Sequence, residues 1–438
     1  MCRSRLKLNK NEKLNFMDKL KIMDKKSTIS WALYDWANQA FFTLIITFVF
    51  ATYVSNSVAN SIDEGTAMWG TAISISFFTV AILAPILGAI SDKKGNLKPW
   101  IGFFTYLCVI STALLWFIEP KNEYLFIALI LVAIANFGGE FATVFYNALL
   151  TEVSSKNNIG KISGWAWGLG YAGGILCLVI SLVFFVLPDT PPFGLDKTNS
   201  EEIRVTALLV AIWFAIFSTP LFLFTKDRKQ TTVSYKSAIS DGLKSTISTI
   251  KNFSKLGEVG RFLIARMIYT DGINTVFVMG GIYAAGTFGM DFQEILIFGI
   301  LINVTAGIGA AVFAWIDDYI GSKKTIIISL LALIVLGTLG CIVESKDLFY
   351  LIGAGLGIFI GPIQSSSRSL MARLTPDNKK AEFFGLYSLS GKITTFLGPL
   401  VFGWVTILLG SQRYGMATVI IFLLIGLIIL IPLKNINK

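Results

Sequence analysis

Six ionisable side chains sit inside stretches of this sequence that are otherwise apolar: the acids Asp35, Glu140 and Asp271 and the bases Arg266, Arg368 and Lys392. A charge at the centre of a membrane helix costs roughly 3 kcal/mol on insertion scales, so it is kept where it meets a partner or a wet cavity. Three acids against three bases balance to zero, as a low-dielectric interior with paired charges requires. The amides Asn38, Asn136, Asn147, Asn274 and Gln364 lie in the same stretches. Together these groups suit recognition and proton handling rather than bond making. A zwitterion would find a carboxylate acceptor in Arg368 or Lys392 and an ammonium acceptor in Glu140 or Asp271. A carboxyl taken out of water holds its proton more tightly unless a cation opposes it, so the same acids are candidates for coupling to a proton gradient.

Other chemistries lack their residues. Histidine is absent, which removes imidazole bases, histidine proton relays and HExxH zinc sites. No nucleophile with a neighbouring base is discernible, so no enzyme is expected. The four cysteines, Cys2, Cys108, Cys177 and Cys341, are scattered without a CxxC, so neither a metal site nor a disulfide framework is indicated. No GxxxxGK[ST] offers a cradle for nucleotide phosphates. Neither a cofactor nor nucleic acid is an expected partner; a small-molecule substrate, membrane lipid and protons are.

The elements that must position these groups follow from composition. Of 438 residues, 54% are hydrophobic and 15% charged, and the mean hydropathy is +0.69. That is an all-α polytopic membrane protein; the runs are unbroken, where a β-barrel would alternate over about ten residues. Apolar runs bounded by charged or Pro/Gly-rich breaks give twelve spans: 31–57, 66–90, 99–119, 123–150, 161–187, 203–225, 259–285, 292–316, 324–343, 347–372, 382–409 and 413–433. Of the 37 lysines and arginines, the odd-numbered loops hold Lys121, Lys197, Arg204, Lys346 and Arg413, and the spans hold Arg266, Arg368 and Lys392; all the others fall on the termini and the even-numbered loops. The positive-inside rule therefore predicts both termini in the cytoplasm. Residues 1–30 form a basic leader without the apolar core of a cleavable signal. Residues 226–258 form a Lys/Ser/Thr-rich linker containing one weakly amphipathic surface helix, and they separate two six-helix bundles, 31–225 and 259–438. On span five, Gly164, Gly168, Gly170, Gly173 and Gly174 suit close helix approach.

The halves repeat one another. After span two, Gly88, Asp92, Gly95 and Lys98 follow at spacings of four, three and three; after span eight, Ala314, Asp318, Gly321 and Lys324 do the same. Gly permits a tight turn and the acid can cap a helix end. Spans one and seven share DxxN as Asp35/Asn38 and Asp271/Asn274. Two coincidences at corresponding places predict pseudo-symmetric halves about an axis along the membrane normal.

The GxxxDxxG loop, its weaker second copy and the six-plus-six arrangement resemble the major facilitator superfamily. Four stretches are more specific: YDWANQAF from Tyr34; FYNALLTEV from Phe145 with GKISGWAWGLGYAGG from Gly160; RMIYTDGINT from Arg266; and IQSSSRSLMARLTP from Ile363 with AEFFGLYSLSGKITTFLGP from Ala381. In this order they resemble the branch named after the autophagy-related vacuolar amino-acid effluxer, over almost the whole chain after Ser30. The resemblance implies a secondary transporter of alternating-access type, with spans one, four, seven and ten lining a central cavity and an amino acid as exported cargo; a monomer is expected. It places gating at Gly88, Asp92 and Gly95 and, with Ala314 where the pattern has Gly, at Asp318 and Gly321.

The buried polar residues fall on those lining spans, apart from Lys392 on span eleven. At 1.5 Å per residue, Asp35 and Arg368 lie about one turn from the ends expected in the cytoplasm, whereas Glu140, Asp271 and Lys392 lie roughly 15–18 Å in. The deep trio is the expected substrate or proton site and the shallow pair a gate, with Asn38, Asn147, Asn274 and Gln364 beside them. Arg266 is expected to snorkel. The aromatics Trp31, Trp36, Tyr146, Trp165, Trp167, Tyr171, Tyr269 and Tyr387 are candidates for the cavity wall. Two rival readings use the same fold: a permease for peptides or cell-wall fragments, and a lipid-moving or membrane-sensing protein.

Overall fold

The computed structural model describes residues 10–434, and these are helical without a strand. Eleven helices among them are long and apolar enough to cross a membrane. The first nine residues of the basic leader lie outside the described residues. The rest of the leader is continuous with span one, whose helix starts at Lys10 and not at Trp31. Beyond Ala40 this span widens into π-helical turns at Phe41–Phe48 and Val54–Val58. Ser27, Lys226, Glu258 and Lys434 mark one face of the bundle, here the proximal face: Lys226 N donates to Ser27 Oγ, and Lys434 N to Glu258. The opposite face is distal.

Span eleven, expected as one helix over 382–409, is two: Lys380–Ser390 and Leu397–Leu409. The cause is span seven, Glu258–Phe288. Its Arg266 donates to the Tyr387 carbonyl at 2.6 Å and to Ser390 Oγ at 2.8 Å. In an α-helix that carbonyl would accept from Gly391; instead Gly391 N turns back to Ser388. The guanidinium fills the space where a Cβ on residue 391 would stand, at 2.6 Å. Arg266 also covers the Tyr387 ring at 3.5 Å, so it does not snorkel. One and a half turns along the same helix, Asp271 Oδ1 accepts from Gly398 N at 3.3 Å at the start of the second piece. Span seven thus places a cation at a helix C-terminus and an acid at a helix N-terminus, each matching the local dipole.

The two halves meet along spans two and eleven and along spans five and eight. Small residues set these distances. A Cβ on Gly88 would lie 2.2 Å from the Ala381 carbonyl oxygen, and one on Gly164 would lie 2.6 Å from that of Ala310. The first piece of span eleven packs on span two, whereas the second packs on spans seven and twelve of its own half. The seam between halves is therefore closed toward the proximal face.

Helix starts on the two faces are built differently. On the distal face four of the six are capped locally: Ser61 accepts from Glu64 N, Asp291 and Glu294 form a capping box, Ser345 accepts from Leu348 N, and Ser411 from Arg413 N; spans four and six start without a side-chain cap. On the proximal face, spans three, five and eleven have no local side-chain cap. Their amides are satisfied from far along the chain, and the site begins there.

Candidate functional site: charge pairs between the halves

Asp92 and Asp318 occupy equivalent positions in the two repeated loops, and each caps a helix of the other half. The Asp92 carboxylate accepts from Ala381 N at 3.0 Å and Glu382 N at 2.8 Å, at the start of span eleven. Asp318 accepts from Gly160 N and Lys161 N, both at 2.8 Å, at the start of span five. A carboxylate at a helix N-terminus satisfies orphan amides and opposes the positive dipole end. Cations complete both corners. Arg228 bridges Asp92 at 2.7 Å and Glu152 at 3.0 Å, Lys380 reaches Glu152 at 3.2 Å, and Arg373 bridges Asp318 at 2.8 Å. Gly95 and Gly321 take φ of +91° and +94°, the left-handed region that a side chain would strain. The sequence identified the acids and the glycines. It did not identify Arg228, Glu152, Lys380 or Arg373, which read as ordinary flanking charges.

One layer deeper, Arg368 on span ten is 2% exposed. Its NH1 meets Asp35 at 2.9 Å and Asn147 Oδ1 at 3.3 Å, its Nε meets Ser163 Oγ at 2.9 Å, and its NH2 meets the Ser163 carbonyl at 2.7 Å. The rings of Trp31, Tyr146 and Trp167 stand 5.0 to 5.7 Å from the guanidinium carbon. Nearly every donor of the cation is engaged by spans one, four and five, so Arg368 ties its half to the other. Ser163 is the partner that sequence reasoning missed; a serine in a glycine-rich helix carries no signal of this role. Gln364, one turn earlier, accepts from Tyr171 at 2.6 Å, and Asn38 donates to Thr143 at 3.2 Å.

At mid-depth the expected trio separates. Lys392, in the break of span eleven, donates to Glu140 Oε1 at 2.7 Å and lies 4.1 Å from the centre of the Phe77 ring. Both side chains keep accessible surface, 16% for Lys392 and 12% for Glu140, and among the described residues the bond from Lys392 to Oε1 is the one Glu140 accepts at its carboxylate. Asp271 does not join them. It is 2% exposed, is bonded to Gly398, and its Oδ2 is buried without a partner. Asn274 is half-buried, one turn from Asp271. Glu140 and Lys392 share a single hydrogen bond, whereas Arg368 makes four to Asp35, Asn147 and Ser163.

A family profile described as Vacuole effluxer Atg22 like matches residues 151–437, and one described as Major Facilitator Superfamily matches residues 5–177. The chain belongs to the Atg22-like effluxer family of the major facilitator superfamily. Among relatives, the Uncharacterized MFS-type transporter YxiO of Bacillus subtilis is 28% identical over 92% of this chain and 94% of its own length. Autophagy-related protein 22 of Yarrowia lipolytica is 24% identical over 66% of this chain and 54% of its own length. Among solved structures, the human organic anion transporter MFSD10 superposes with a TM-score of 0.71 at 14% identity, covering 93% of this chain and 99% of that one. The fucose:proton symporter FucP of E. coli gives 0.68 at 14% identity, covering 94% and 98%. The twelve-span architecture of this Atg22-like chain is the major facilitator fold.

Proposed function

We propose that this transporter exports a small zwitterionic solute of amino-acid type by alternating access, with Glu140 and Lys392 as its cargo site. The observation that carries the reading is their pair: it joins the two halves near the middle of the bundle, and both groups keep capacity for a second partner. A cargo ammonium competes for Glu140 and a cargo carboxylate for Lys392. Replacing one cross-half pair by two cargo contacts leaves both buried charges compensated while the halves rock. Asp35 with Arg368, and the Asp92 and Asp318 corners, act as the gate that is shut here. Asn38, Asn147, Asn274 and Gln364 orient these groups.

Asp271 is the acid assigned to the proton, because it alone of the three has no base in contact and so gains or loses a proton without breaking an ion pair. The excess of lysine and arginine on the proximal face supports a cytoplasmic location for both termini in the cell membrane. Direction follows the description of the family as effluxers.

The decisive measurement is a melting-temperature and proteoliposome-exchange screen of purified wild-type protein against amino acids, dipeptides and muropeptides, with and without a pH gradient. A cargo that stabilises wild type is expected to leave Lys392→Met and Glu140→Gln unmoved. Equal stabilisation of all three proteins would place the cargo elsewhere. Proton-driven accumulation that survives Asp271→Asn would remove Asp271 from coupling.

A further inference from the structure

Between the halves runs the helix Tyr235–Lys251, the longest element outside the spans. One side of it is built into the protein. Ala238, Gly242, Thr246 and Thr249 are buried, with Gly242 against Ile90 of span two and Thr246 Oγ1 donating to the Pro85 carbonyl at 3.3 Å. Ser245 and Thr249 donate to the Glu382 carboxylate of span eleven at 2.7 and 2.5 Å. The helix therefore holds one span from each half, at the proximal ends where those spans leave the membrane.

Its adjoining side faces outward and is apolar. Tyr235, Ile239, Leu243, Ile247 and Ile250 are 37–63% exposed. At about 100° per residue they fall within one 120° arc. Lys236 is exposed at the first turn within that arc, Lys251 and Lys244 are exposed about 40° and 60° beyond its edge, and none of the three is in an ion pair among the described residues. Asp241, the helix's one acid, and Ser237 and Ser248 lie on the remaining side. Among the described residues the other exposed aliphatic stripes belong to the spans, whose length and composition suit lipid; a stripe of this kind turned to water has no compensation. Apolar arc, flanking lysines and polar back are the layers of a helix seated in a lipid interface.

The geometry points to this helix as a binding surface for an anionic lipid leaflet, the one on the side of both termini, with its aliphatic arc among the headgroups and its lysines on lipid phosphates. Because the opposite side is bonded to spans two and eleven, a seated helix keeps those spans together, and an anionic membrane favours the shut proximal gate. This inference does not depend on the cargo.

The test uses the full chain with a single environment-sensitive fluorophore at Ile247→Cys, in a background where Cys2 and Cys341 are serine, reconstituted into vesicles containing brominated lipid. A second label at Ser248→Cys, on the polar back, serves as reference. The label at 247 is expected to be quenched severalfold more than that at 248 in phosphatidylglycerol vesicles. The difference should shrink in phosphatidylcholine, at high salt, and when Lys236, Lys244 and Lys251 are all glutamine. Equal, weak quenching at both positions in the anionic vesicles would overturn the proposal, as would quenching at 247 that ignores lipid charge and the lysines. Weak quenching at 247 that rises only on removal of residues 1–24 would assign the arc to that segment of the chain instead and equally overturn it.

Discussion

Two ion pairs join the halves of this transporter within the membrane, and they differ in what surrounds them. Arg368 is held by Asp35, Asn147, Ser163 and three aromatic rings, with Arg368 2% and Asp35 13% exposed. Glu140 and Lys392 share one hydrogen bond, a ring beneath and partly accessible surface. An enclosed pair with its donors spent holds a conformation; a pair with spare capacity can exchange partners. Chemical type does not separate them, since each is one acid from the first half and one base from the second. Their neighbours do.

The largest effect is expected at the enclosed pair. Arg368→Ala leaves Asp35 without its cation and unties Asn147 and Ser163, a loss of about 3–5 kcal/mol, read as a fall in melting temperature and in folded yield. Arg368→Lys should lose most of the same stability, because an ammonium cannot reproduce the fork that meets Asp35, Asn147 and Ser163 together. A lysine variant as stable as wild type would make the two pairs alike.

Next comes the open pair, where activity and stability should part company. Lys392→Met with Glu140→Gln removes both charges and is expected to abolish exchange of a cargo that wild type carries, with little change in melting. Loss of stability as large as that of Arg368→Ala would show that this pair, too, is structural.

Smaller again is the effect at the proximal corners. Asp92→Ala and Asp318→Ala each remove a cap worth about 0.5–2 kcal/mol, paid by one conformation and not the other. Spin labels across the proximal ends of spans two and eleven should report a larger open fraction. Smallest is Ser411→Ala, a local cap on the distal face: it should cost about 1 kcal/mol or less and leave the open fraction unchanged, because both conformations contain it.

These last two cases show how much of the molecule was legible beforehand. Ser61, Asp291, Ser345 and Ser411 bond amides two or three residues on, and a local bond needs nothing but local sequence. The acids of the repeated loops were visible as an interval pattern, but the amides they cap lie 289 and 290 residues away for Asp92 and 158 and 157 away for Asp318. The break in span eleven was hidden for the same reason. Residues 382–409 are apolar enough for one helix, and what interrupts it is Arg266, 121 residues earlier, taking the Tyr387 carbonyl.

By itself, the sequence determined the number of crossings, the two-fold repetition, the family and the six charges that the interior must balance, because hydropathy, spacing and net charge are properties of the chain. Which acid meets which base was left to the tertiary structure: Asp35 with Arg368, Glu140 with Lys392, and Asp271 with a backbone amide and no cation. The physical reason is that a buried charge fixes only the requirement for compensation, and several partners satisfy it equally until packing brings one within about 3 Å.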